Sequence, residues 1–248
     1  MGASGDEAFP LLINGEWARL AAVSKAWLAR EPDDPVPKRL LLFAGAFLLP
    51  FPFSTKEGNE FYEQISRASD ESSVRTWLNS FPTEQRSCPF VEAFTCALDS
   101  FSDPGGSTAR LHTVARRNPE RAELWHMLGV AWGGEPAIEH LSTAIAIAPD
   151  FASAYYYRAV SYLHLGKCNE GETDLIKAAE LAPDSVSAHY HLGMLYESYG
   201  RLEQANKHLQ KVIDIELDSD FASTASSILG SSRIVRRLKW LMGWYRIG

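Results

Sequence analysis

An all-α fold, assembled by stacking similar helix pairs, is predicted by three observations. Pro149-Asp150 and Pro183-Asp184 lie 34 residues apart, and Leu217-Asp218 stands at the next place in the series. The segments LWHMLGVAW (124–132), AYYYRAVSY (154–162) and AHYHLGMLY (188–196) superimpose without gaps, with matched positions at the three-, four- and seven-residue intervals of one helix face. Each is followed by a second alignable segment: EPAIEHLSTAIAIAP (135–149), NEGETDLIKAAELAP (169–183) and LEQANKHLQKVIDIEL (202–217). A unit of about 34 residues is too small to bury its own apolar face and gains stability by stacking on its copies.

Composition bounds the rest. An apolar share of 46% with 22% charged residues marks a chain that folds rather than a disordered one. Of the formal charge of −7, residues 231–248 contribute +5 through Arg233, Arg236, Arg237, Lys239 and Arg246, which leaves −12 on residues 1–230. A body so acidic repels DNA and RNA, so no nucleic-acid partner is expected. Cys88, Cys96 and Cys168 form no CxxC pair, which favours a reducing, cytoplasmic setting, and the acidic start at Asp6 and Glu7 does not resemble a secretory leader. The longest apolar run, 40–53, holds 14 residues and two prolines. That falls short of the roughly 20 needed to cross a bilayer, so a buried helix ending before Pro50 is expected.

Along the chain, residues 14–35 read as a second helix of a repeat running into its Pro-Asp end, and 36–49 as the next helix. Residues 50–57 form a loop, and 58–68 and 71–80 are helical, with Phe61, Ile65, Trp77 and Leu78 as apolar anchors. Residues 1–85 thus make a helical, degenerate repeat-like region. Either it continues the stack or it is a separate N-terminal domain. Residues 86–121 hold a degenerate helix pair, interrupted by the breaker Asp103-Pro104-Gly105-Gly106 and ended by Pro119.

Three clear units follow, at 122–151, 152–185 and 186–219. In their first helices Trp125, Tyr155 and His189 correspond, as do Leu128, Arg158 and Leu192, and Gly129, Ala159 and Gly193. In their second helices Ala137, Gly171 and Ala205 correspond, and Leu141, Leu175 and Leu209. Glycine inside a helix costs about 1 kcal/mol relative to alanine, so Gly129, Gly171 and Gly193 imply close approach of the paired helices. Gly166 and Gly200 stop the first helices, and Asp150, Asp184 and Asp218 are placed to cap the helices that follow. Residues 220–248 supply a capping helix and a basic, aromatic tail.

The small and aromatic signature of these units resembles the tetratricopeptide repeat. The first unit lacks four residues in its inter-helix turn, Arg158 replaces the usual leucine, and Leu217 replaces the last proline. The resemblance implies a right-handed α–α superhelix whose first helices line a concave groove. Carried over by position, the partner-binding residues are Glu123, His126 and Val130; Ser153, Tyr156, Val160 and Leu163, with His164 beside them; and Ser187, Tyr190, Met194 and Glu197. None is lysine, arginine or asparagine, so the carboxylate clamp of the chaperone-binding members is absent. The groove implied is one for an apolar or aromatic protein segment.

No chemistry competes with that reading. There is no HExxH, GxxxxGK[ST] or GxSxG, His189 and His191 face different sides of one helix, and the Gly-Gly pairs at 105–106 and 133–134 are expected in inter-helix turns. No catalytic residue, metal or cofactor is expected. The function implied is a noncatalytic adaptor, scaffold or chaperone-like module. Two alternatives stay open: a peripheral membrane assembly factor docked through 231–248, whose composition also suits an interfacial helix, and an enzyme or enzyme regulator using residues 36–118.

Overall fold

A computed structural model describes residues 3–45, 47–48, 71–100, 102–215 and 221–230; every regular element among them is a helix. The elements are α1 (Ala3–Asn14), α2 (Trp17–Arg30), α3 (Pro35–Gly45), α4 (Glu71–Asn79), α5 (Thr83–Arg86), α6 (Pro89–Asp99) and α7 (Pro104–Arg117). The three clear units supply α8 (Ala122–Ala131) with α9 (Gly134–Ile147), α10 (Ala152–His164) with α11 (Cys168–Leu181), and α12 (Val186–Ser198) with α13 (Leu202–Ile215). A last helix, α14, spans 221–230. Each pair packs internally, and α9 against α10 and α11 against α12 join the pairs into an α–α superhelical stack. The expected helix at 58–68, the cap at Asp218 and the tail 231–248 lie outside the described residues.

Within the units, the small residues act as the pattern requires. A Cβ on Gly193 would stand 2.7 Å from Leu209 Cγ, and one on Gly129 only 2.3 Å from Leu141 Cγ, so the glycines make room for a leucine of the opposing helix. Gly166 and Gly200, with φ of +72° and +70°, end α10 and α12 in the left-handed region that glycine adopts without a Cβ clash. The shortened turn of the first unit is taken out of the helix itself, since α8 has 10 residues where α10 and α12 have 13. Arg158 keeps its place by partnership: Nε and Nη2 donate to Asp174 on α11 at 2.6 and 2.8 Å, and Nη1 donates to Ser142 Oγ on α9 at 3.0 Å. Two backbone expectations are corrected. The aspartates after the repeat prolines do not cap: the N-caps fall one residue later, at Phe151 with no side-chain bond and at Ser185, whose Oγ accepts from Ala188 N at 3.2 Å. Asp103 is a true cap, accepting from Gly106 N at 2.9 Å, so Gly105 and Gly106 belong to the first turn of α7 rather than to a turn between helices.

The N-terminal half is built differently. α1, absent from the expectations above, carries Pro10 yet buries Ala8, Phe9, Leu11 and Leu12. Phe9 stacks on Phe81 at 3.6 Å and meets Trp77 edge-on, while Trp17 contacts Phe43, Phe47 and Phe90. Asp99 on α6 pairs with Arg75 of α4 and Arg110 of α7, tying three helices together. One cluster of buried side chains runs from Ala8 to Leu128, so this half shares its core with the first clear unit. At the other end, Ala222, Ala225 and Leu229 of α14 cover Val186, Leu209 and Val212.

Candidate functional site

The positions implied to face a ligand separate by burial. His126, Ser153 and Ser187 are 0%, 1% and 7% exposed and cannot meet a partner directly, which corrects their placement in the groove. The physical reason is mutual satisfaction. His126 Nε2 and Ser153 Oγ lie 3.0 Å apart, joining the first unit to the second. The imidazole is wedged among Phe47, Phe151 and Tyr157, with ring centroids at 5.7, 4.8 and 5.4 Å. Burial alone pushes its pKa down to about 3, so it stays neutral. Ser187 is held by the Tyr156 hydroxyl on its side chain and by His191 Nδ1 on its carbonyl, the latter at 2.8 Å.

Around the first unit the N-terminal half occupies ground where an open groove was expected. Val130, 41% exposed, stands at an apolar cavity of about 250 Å³ walled by Leu42, Phe43, Phe94, Ala97 and Met127. Glu123 borders a second depression of about 460 Å³ with Trp17, Phe47, Ile147 and Phe151.

Units two and three carry a continuous aromatic ladder. Tyr156 meets His191 at 5.5 Å, His191 meets Tyr190 at 5.7 Å, and Tyr190 meets Phe221 of the covering helix at 4.7 Å. Burial raises the Tyr156 hydroxyl pKa and lowers that of His191, which keeps the ladder uncharged. On the same helices Val160 and Met194 are half-buried and His164 and Glu197 are exposed, while the half-buried Leu163 packs against Gly171 of α11. His191 and Phe221 escaped the sequence reading. A signal for His191 existed: it aligns with Tyr157, so an aromatic column at 157 and 191 runs beside the one at 156 and 190.

The same alignment defines a slot between the two helices of each pair. Trp125, Tyr155 and His189 on the first helices face His140, Asp174 and His208 on the second. Trp125 lies 5.9 Å from His140, ring to ring, Arg158 covers Tyr155 while binding Asp174, and His189 Nδ1 is 3.0 Å from His208 Nδ1. Burial lowers the pKa of His189 and takes that of His208 down to about 4. Among the described residues no group of three or more His, Cys, Asp or Glu is placed around a metal ion, and no helix is long and apolar enough to cross a membrane.

Paired helices stacked in register, with glycine and alanine at the crossings, define a helical-repeat protein of the α-solenoid class. The tetratricopeptide repeat family matches residues 186–219. This chain carries that repeat, and it folds as tetratricopeptide repeat structures do. Its fold is similar to that of a human IFIT1 dimer with m7Gppp-AAAA, at 17% identity and a TM-score of 0.58 over 94% of this chain and 64% of that one. It is also similar to TTC0263, a thermophilic tetratricopeptide repeat protein of Thermus thermophilus, at 19% identity and a TM-score of 0.54 over 71% of this chain and 97% of that one. The chain spans 60% of the IFIT1 chain in a further complex, with PPP-AAAA. A comparison with curated protein sequences finds no match.

Proposed function

We propose that the protein is a noncatalytic interaction module, of the adaptor or chaperone-like kind, that takes an apolar or aromatic segment of a protein partner along units two and three. The observation that carries this reading is the uncharged ladder Tyr156–His191–Tyr190, on helices that also carry the half-buried Val160 and Met194. Aromatic platforms that lose little conformational entropy on binding are the usual anchors of such contacts. Glu197 and His164 stand at the edge and would select register through a basic or hydrogen-bonding residue of the segment. The polyanionic ligands of the IFIT1 complexes do not suit these positions, which hold Glu123 and Glu197 and no cation, on a body of −12.

Selection from a peptide display library tests the reading. Enriched peptides should share aromatic or branched apolar residues, and Met194→Asp with Val160→Asp should abolish their binding without changing the circular dichroism spectrum. Enrichment of acidic peptides, or equal binding by the double variant, would remove the proposal.

A further inference from the structure

We propose that His189 and His208 chelate a late first-row divalent metal ion, of the zinc, nickel or copper class, across the two helices of the third unit. Their Nδ1 atoms face each other at 3.0 Å between α12 and α13. Two nitrogens bound to one zinc ion at about 2.0–2.1 Å stand about 3.0–3.4 Å apart when they occupy neighbouring corners of its coordination shell. The helix pair therefore holds two donors at chelate distance, and turning the rings about their Cβ–Cγ bonds would aim both lone pairs at a common point.

The far nitrogen of His189 settles which tautomer is present. Its Nε2 lies 2.9 Å from the Pro183 carbonyl oxygen, which only accepts, so Nε2 carries the proton and Nδ1 presents its lone pair. The first unit supplies an independent check. Trp125, the counterpart of His189, has a single indole N–H and donates it to the Pro119 carbonyl at 3.1 Å. Both acceptors sit six residues upstream of the donor. An imidazole that gives its outer N–H to a carbonyl while its inner nitrogen meets a metal is the arrangement that fixes ring orientation in metal sites.

In the metal-free protein the His208 Nδ1–H donates to His189 Nδ1. On binding, His208 moves that proton to Nε2, and no net charge leaves the site. Imidazole nitrogens select zinc, nickel and copper over magnesium and calcium. Two protein donors leave the remaining positions to water. The nearby Lys211 is turned toward Asp184, at 3.6 Å. Neither equivalent slot offers two facing donors, since one holds Trp125 with His140 and the other Tyr155 with Asp174, bound by Arg158.

Calorimetric titration of the full chain with zinc chloride, in a buffer that does not bind metals, tests the site. One equivalent of zinc should bind; His208→Ala should weaken binding by about tenfold or more, while His112→Ala, a change on α7 away from the third unit, should leave it unchanged. Copper-loaded wild-type protein should show nitrogen hyperfine coupling from two imidazoles, reduced to one in His208→Ala, a change that a general loss of packing does not produce. Absence of zinc uptake by the wild type, or equal uptake by His208→Ala with the same melting curve in chelator, would overturn the assignment.

Discussion

From Ala8 to Leu128 the core is one cluster that interlocks phenylalanine and tryptophan rings from distant parts of the chain. From Ala122 to Leu229 it divides, among the described residues, into three smaller clusters of mostly alanine, leucine and valine. In the second region a leucine of each unit sits opposite a glycine of the same unit, as Leu209 does with Gly193. In the first, a ring such as Phe90 depends on Trp17, more than seventy residues away in sequence. The contrast teaches that repeats specify themselves locally, while the irregular half is specified by one shape-matched set of aromatic side chains.

The strongest test of that contrast is Phe94→Ala, because a large buried ring leaves a cavity the aromatic set cannot close. A loss of about 3–5 kcal/mol is expected. Hydrogen exchange should rise through residues 8–128 while 186–215 keep their protection. Equal loss in both would show that the halves fold as one cooperative unit.

Arg158→Leu restores the residue usual at that place in the repeat, yet should destabilise by about 3–5 kcal/mol, because it leaves Asp174 buried and unpaired. The double change Arg158→Leu with Asp174→Leu should be neutral or stabilising in a denaturant titration. Recovery by the double variant would show that the small-and-leucine pattern alone suffices here. Gly193→Leu should cost about 1–3 kcal/mol by overpacking Leu209, seen as a lower melting temperature.

At the seam between the two regions, acid should act through His126. The unfolded chain takes up a proton there below pH about 6.5, while the folded one resists it down to about 3. Stability from this group is therefore complete above pH about 6.5 and falls as pH drops toward about 3, by about 1.4 kcal/mol per unit. His126→Leu should flatten part of the slope in melting curves taken between those limits. The smallest effect belongs to the cap. Ser185→Ala should cost about 1 kcal/mol and Asp184→Ala far less, which thermal denaturation can resolve.

The positions of the helices in residues 122–215 were legible because a period and its stop residues are short-range properties. Gly166 and Gly200 mark their helix ends directly. α1 was not legible, since Pro10 interrupts its pattern and its partners, Trp77 and Phe81, lie far along the chain. The candidate site was legible in part. Aligned columns located Tyr156 and Tyr190, but not that His191 lies between them or that Phe221 extends the ladder. Burial of His126, Ser153 and Ser187 depends on neighbours that no column reveals.

Residue order was therefore enough to establish an all-α stack of helix pairs, its register and the acidity of its body. Tertiary structure alone decided that Arg158 is matched by Asp174, that the aspartate caps yield to Ser185, that the N-terminal aromatics fill the approach to the first unit, and that His189 faces His208. Periodicity reports which residues share a helix face, a property of a few neighbouring turns. Which faces meet, and which polar groups are satisfied when they do, is set by contacts between residues that sequence spacing does not relate.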